Sequence, residues 1–282
     1  MRISLFLKLY LLKLIDFFIT NRLCYSIHKL FSWMYFQWMR WMWRIEFHNG
    51  TLSINNKVHI QIDTFKKIRE KSKLFKDLDI VFICDGNRRW ATKNNIDNNQ
   101  TKIQYGIEKI EQIIEFSYLH GLRSVSFYIF SIRNFQRDSA EIMAIKKFIT
   151  NGKIQNYPFQ LKLYGDFSYF EDATIIEKLL EIEEKSDSRN NSFIVNIFIS
   201  YNSTNCDKDK TNKRQFFNDN VDLIIRTSGE KRLSDFMIRQ VASGCGVNFV
   251  NCLWPELTLS HITFMLLLYK IEMQFFRKKS HK

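Results

Sequence analysis

A carboxylate, a glycine turn and two guanidiniums follow one another in Asp85-Gly86-Asn87-Arg88-Arg89, directly after the apolar run at 79–84 (DIVFIC). Aspartate is a hard oxygen donor and repels phosphate, but it can hold Mg²⁺ that bridges to phosphate oxygens. The arginines and the backbone of Gly86 and Asn87 suit the phosphate itself, because a planar guanidinium grips two oxygens at once. A second polar loop follows the run at 221–226 (VDLIIR) and carries Arg226, Thr227, Ser228, Arg232 and Ser234. Ser234-Asp235 is expected to open a helix whose free N–H groups favour an anion. A third polar segment, Ser131-Ile132-Arg133-Asn134-Phe135-Gln136-Arg137, follows the run at 124–130 (SVSFYIF). Together these predict two diphosphate pockets with one metal ion between them. Each loop alone is more often an ordinary turn, and it is their joint placement that points to a site.

The elements that must position these loops are strands alternating with helices. Short apolar runs bounded by turn formers predict strands at 79–84, 124–130, 160–164, 193–200, 221–226 and 247–250. Helical spacing predicts helices from 105 to 120, from 138 or 139 to 151, from 172 to 185, from 235 to 241 and from 260 to 276. In the first of these, Ile107, Ile110, Ile113, Ile114 and Tyr118 form one apolar stripe, with Gly121 as the stop. The polar stretches 92–104 and 201–220 read as loops. The expected fold class is therefore α/β, a mostly parallel central sheet of about six strands flanked by helices. In such a sheet the loops after strands emerge at one edge, where ligands bind.

The bulk composition is that of an ordinary globular chain, 45% hydrophobic and 25% charged over 282 residues, with a net charge of +13. That charge implies an anionic partner: nucleic acid, a membrane surface or a phosphorylated small molecule. No aromatic strand pattern of the RNA-binding type is present, so nucleic acid is not the expected partner. The five cysteines and six histidines are scattered without CxxC or HExxH spacing, which suggests neither a disulfide framework nor a caged transition metal. Residues 1–47 form an N-terminal extension of different character, expected to be helical. Arg2, Lys13, Asp16 and Thr20 gather on one side of a helical wheel, and four of the six tryptophans lie at 31–47. Amphipathic and aromatic helices of this kind lie in a membrane interface; packing on the protein body or a partner chain is the other placement. Residues 48–78 read as a linker and a basic helix, and 79–282 as the catalytic domain.

DGNRRWA (85–91), FSIRNFQRDSAE (130–141), RTSGEKRLSDF (226–236) with Gln240, and LWPE (253–256) resemble four successive signatures of the cis-prenyltransferases. The chain is more similar to the eukaryotic dehydrodolichyl diphosphate synthase branch than to the bacterial undecaprenyl diphosphate synthases, with Arg88 where the latter carry glycine and Cys245 where they carry a metal-binding glutamate. The resemblance implies elongation of farnesyl diphosphate by isopentenyl diphosphate with cis double bonds and Mg²⁺. It implies that Asp85 and Asn134 are catalytic, Asp85 being also the metal ligand. Gly86, Asn87, Arg88, Arg89, Trp90, Ser131, Phe135, Arg137, Arg226, Arg232 and Ser234 would bind substrate, and the growing hydrocarbon would lie along the helices after the first two strands. Arg133 replaces a family glutamate, and an Arg-x-x-Gly-His element expected before Gly106 has no counterpart, leaving Lys93 and Lys102 as the nearby cations. The terminal RKKSHK lacks an Arg-x-Gly tail. The resemblance thus implies the catalytic subunit of a complex with a Nogo-B receptor-like subunit, with a homodimer as the other arrangement. It also implies an endoplasmic reticulum membrane location with the catalytic domain facing the cytosol. A non-catalytic partner subunit of the same fold is the alternative.

Overall fold

Five consecutive residues that are buried on both faces, Asp79–Ile83, form the central strand β1. The computed structural model describes residues 75–136, 142–143, 159–187, 190–206, 217 and 220–275. The remaining strands are β2 (Ser124–Ser131), β3 (Phe159–Tyr164), β4 (Asn190–Tyr201), β5 (Leu223–Arg226) and β6 (Gly246–Phe249). They make one sheet in the order β3-β4-β2-β1-β5-β6, with every pair parallel. Parallel neighbours need crossovers, and the crossing helices cover both faces; this is why the strands read as continuous apolar runs.

The helices are α1 (Asn87–Lys93), α2 (Asn99–Leu119), α3 (Ala173–Asp187), α4 (Ile238–Ala242) and α5 (Leu259–Phe275). The described residues fall into two compact units, 75–256, which holds the whole sheet, and a segment from Leu257 that carries α5. Thr258 caps α5, its hydroxyl accepting from the His261 N–H at 3.2 Å. Among the described residues no helix is long and apolar enough to cross a membrane. The expected extension at 1–47, most of the linker at 48–78 and the helix starting at Asp138 or Ser139 lie outside the described residues, apart from a helical pair at 142–143.

Three differences from expectation concern the polar stretches. The polar stretch 92–104 is not a loop throughout: α2 starts at Asn99 because the Asn98 side chain accepts from the N–H groups of Gln100 and Thr101. Asn98→Ala is expected to lower stability by about 1 kcal/mol, the usual loss for an N-cap, as read by urea denaturation. Residues 203–206, placed in a loop by sequence, form a single helical turn tied to Asp235 through Thr204. No helix starts at Ser234-Asp235. Ser234, Asp235 and Met237 all have left-handed backbone angles, and α4 begins only at Ile238. The anion site expected at that helix N-terminus is therefore absent from the described structure.

Alternation along β1 divides the core. Val81 and Ile83 join Tyr128, Phe198, Tyr201, Phe236 and Met237 on one face. On the other, Phe82 stacks on Phe127 at 5.7 Å, and both meet the fully buried Trp254, at 5.9 and 6.3 Å. Each such side chain contributes about 1.5–3 kcal/mol on burial. Trp254 also donates its Nε1–H to the Gly106 carbonyl at 2.9 Å, latching α2 to the LWPE segment. At the amino edge of the sheet, Asp79 accepts from Arg123 and Ser124, closing the end opposite the polar loops.

Candidate active site

Because β1 lies between β2 and β5, the loops after these three strands emerge side by side. The chain leaves β1 toward β2 in one direction and returns to β5 in the other, so the crevice sits at a topological switch point. It is a cleft of about 850 Å³.

Asp85 forms the centre of its floor. Thr227 holds the backbone there, its hydroxyl accepting from the Asp85 N–H at 3.1 Å and donating to the Asp85 carbonyl at 2.7 Å. The next residue must be glycine. Gly86 has φ +109°, and a Cβ there would come within 2.9 Å of Leu253 Cδ2 and 3.2 Å of the Leu253 backbone. Asn87 then starts α1, donating from Nδ2 to the Cys84 carbonyl at 3.2 Å.

Arg226 ends β5 directly opposite Ile83 and is only 3% exposed. Its Nη2 donates to Asp85 Oδ2 at 2.8 Å, and its Nη1 donates to Ser234 Oγ at 2.8 Å and to the Arg232 carbonyl. Ser228 donates to the same Asp85 Oδ2 at 2.9 Å, while Arg89 reaches Oδ1 at 3.5 Å. Burial, the largest single influence on the Asp85 carboxyl, pushes its pKa up. The hydrogen bonds from Arg226 and Ser228 and the charges of Arg226 and Arg89 together outweigh it, so the group is held below the ordinary aspartate value. The two loops expected to form separate pockets thus meet through a direct ion pair in one cleft.

Around this floor the cleft collects most of the residues singled out from sequence. Gly86, Asn87, Arg88, Arg89, Ser131, Asn134, Arg232 and Ser234 line it with Asp85 and Arg226. Ser131 Oγ donates to Asn134 Oδ1 at 2.8 Å, where register shifts against β4 bend the end of β2. Arg232 pairs with Glu230 at 2.5 Å, and Arg89 approaches the same carboxylate at 3.7 Å. Two expected residues lie elsewhere. Trp90 packs on Tyr105 at 4.7 Å, and Phe135 sits among Phe130, Tyr169 and Phe170, neither lining the cleft. Arg137 is outside the described residues.

The wall beyond the charged floor is apolar. Ile103, Ile107 and Ile110 come from α2, and Ile129, Phe130 and Ile132 from β2 and the turn after it. Ile107, from the expected apolar stripe, is half-buried and belongs to this wall. Lys93 and Lys102 do not line the cleft; Lys93 pairs with Glu256 at 2.6 Å and Lys102 donates to Asn99 at 3.3 Å. Arg133 does line it, adding a cation where the family carries glutamate. Cys245 does not, and its thiol lies 3.2 Å from the Gly246 carbonyl. Burial pushes the Cys84 thiol well up and that of Cys252 to about 12, so neither is a nucleophile.

The sequence alone shows the hydroxyls of Thr227 and Ser228 but not that both serve Asp85, nor that Glu230 lies between two arginines. The RTSGE spacing held the signal, since a loop one strand away from Asp85 must present its first residues to it.

A parallel sheet with a basic cleft at its switch point and an apolar wall beside it defines an enzyme for substrates with an anionic head and a hydrocarbon body. The chain matches the prenyltransferase family model of the undecaprenyl diphosphate synthases over residues 83–276, and it belongs to that family. It is 39% identical over 208 residues to the dehydrodolichyl diphosphate synthase of Encephalitozoon cuniculi, a match covering 72% of this chain and 74% of that one. It is 26% identical over 225 residues to a dehydrodolichyl diphosphate synthase complex subunit of Homo sapiens, covering 68% of this chain and 66% of the relative. Among solved structures, lavandulyl diphosphate synthase from Lavandula x intermedia, in complex with dimethylallyl diphosphate, shares the fold. Its TM-score is 0.58 at 17% identity, over 70% of this chain and 96% of the other. The protein is a cis-prenyltransferase.

Proposed function

We propose that this chain elongates farnesyl diphosphate with isopentenyl diphosphate to a long-chain, dehydrodolichyl-type diphosphate, with Mg²⁺ as cofactor. The observation that carries the reading is the Asp85–Arg226 pair at the floor of a cleft with a continuous apolar wall. In this reading Arg88, Arg89 and the backbone of Gly86 and Asn87 cradle the allylic diphosphate. Arg226, Arg232 and Ser234 hold the isopentenyl diphosphate.

The donor set fits Mg²⁺. Among the described residues no three His, Cys, Asp or Glu side chains gather as a cage. A single carboxylate with a lightly engaged oxygen, Oδ1, is nevertheless what suffices when substrate phosphates and waters supply the other ligands. Asp85 would hold the ion, and when bound it would neutralise charge on the departing diphosphate. The C–O bond to that diphosphate breaks as the new C–C bond forms to the isopentenyl double bond. The proton lost from the adjacent carbon leaves at the side of the cleft where Ser131 and Asn134 are paired. The apolar wall excludes water from the cationic carbon and accommodates the product chain.

The reading extends to a membrane location on the cytosolic face of the endoplasmic reticulum through residues 1–47, and to a catalytic domain at 79–282. It further includes a complex with a second subunit or a second copy. Composition supports the first and the names of the eukaryotic relatives support the last.

The test is incubation with farnesyl diphosphate, labelled isopentenyl diphosphate and Mg²⁺, with and without a co-expressed partner, followed by product-length analysis. Asp85→Ala is expected to lower elongation by about a thousandfold, the scale on which a preorganised charge-stabilising group acts. Elongation unchanged by Asp85→Ala would overturn the reading.

A further inference from the structure

Ser228 occupies a backbone conformation that favours glycine, yet it is serine. Its φ is +82°, and the turn is fixed from outside: its N–H donates to the Cys252 carbonyl at 2.6 Å and the Gly229 N–H to Val250 at 2.8 Å. A non-glycine residue there is strained whatever its side chain does. The side chain does not line the cleft and the residue is only 8% exposed, so it is not placed to touch substrate. Its hydroxyl instead donates to Asp85 Oδ2 at 2.9 Å.

Among the described residues Oδ2 has one other donor, Arg226, at 2.8 Å. The two donors differ in what an anionic substrate does to them. Arg226 is a charged fork in the cleft wall, and a diphosphate competes with Asp85 for it. Ser228 is neutral and shielded, so substrate cannot recruit it.

We propose that Ser228 is a positioning residue for the prenyl transfer. Its hydroxyl keeps Oδ2 of Asp85 tied back, and Oδ1 presented to the cleft, while substrate draws on Arg226. The inference rests on the role given to Asp85 above, and strain at Ser228 is tolerated for the hydroxyl that glycine would lack.

Three substitutions separate the hydroxyl from the backbone. Ser228→Ala removes the hydroxyl and keeps the strain; Ser228→Gly removes both. Each is expected to lower kcat about tenfold, the scale of a hydrogen bond to a charged group, with KM for isopentenyl diphosphate unchanged. The glycine variant melts at a higher temperature than the alanine variant. Ser228→Thr keeps the hydroxyl and restores most of kcat, but melts lower because a β-branched residue fits a positive φ poorly. Activity and melting temperature therefore run in opposite directions between glycine and threonine. A glycine variant with full kcat, or activity that follows melting temperature across the series, would overturn the inference. Asp85→Asn run in parallel separates the two failures. If it is as active as the parent, the role of Asp85 falls and the inference with it; if it is inactive beside a fully active Ser228→Gly, the inference alone falls.

Discussion

Replacing Arg226 by alanine is expected to lower kcat/KM for elongation by at least about a thousandfold and the stability of the fold by about 3 kcal/mol. The two losses share one cause. Arg226 is 3% exposed and joins three partners from two loops: Asp85, Ser234 and the Arg232 carbonyl. Among the described residues its removal leaves the Asp85 carboxylate with Ser228 and the long contact to Arg89, and leaves the turn at 232–235 held through Asp235 alone, by Ser203 and Thr204. Breaking one partner of such a pair costs more than the pair contributes, because the remaining charge stays partly desolvated. Arg226→Lys restores charge but not the fork, and is expected to recover stability more fully than turnover.

Acid unfolding gives the same prediction a second readout. The folded Asp85 carboxyl lies below its ordinary value, so the stability it contributes is present in full above the ordinary aspartate value. That contribution is lost as the pH falls through the lowered folded value. The stability gap between parent and Arg226→Ala, measured by urea titration, is therefore expected to be widest near neutrality and to narrow across that acid window. A gap independent of pH would show that the ion pair is not what Arg226 contributes.

What could be read from residues alone divides along physical lines. The strands were legible because burial on both faces forces an unbroken apolar run, and DIVFIC and VDLIIR admit little else. The start of α2 was not, because its first turn is solvated and asparagine-rich. Only the Asn98 cap, two hydrogen bonds from one side chain, distinguishes it from a loop. The missing helix at Ser234 failed for the opposite reason. A good capping sequence was present, but the anchoring of Ser234 to Arg226 accompanies left-handed angles at three of the four residues from Ser234 to Met237. In the cleft, residue types announced the chemistry of Asp85 and Arg226. Their direct contact was not announced, since it depends on β1 and β5 being neighbours in the sheet.

Gly165→Ala is expected to yield no folded protein, a loss of more than about 4 kcal/mol against a usual total of 5–15. Gly165 follows β3 with φ +138°, a region that residues with a Cβ scarcely enter. A Cβ built there falls 1.6 Å from the Ile199 carbonyl oxygen and 3.2 Å from the Ser200 carbonyl carbon. The obstruction is backbone, so no rotamer change relieves it. Gly106→Ala provides the contrast: there the nearest atom is the Asn87 side-chain oxygen at 2.7 Å, which can rotate away, and a folded product is expected. Expression, circular dichroism and a thermal melt of the two variants check both outcomes, and a Gly165→Ala protein melting within a few degrees of the parent would refute the clash. The effect would reach the site as well as the fold. The backbone that must yield runs from Ile199, part of the cleft wall, to Tyr201, whose carbonyl accepts the Tyr128 hydroxyl at 2.8 Å. Any relaxation that admitted a methyl at Gly165 would shift that wall, so a variant rescued by low temperature should elongate poorly even where it is folded.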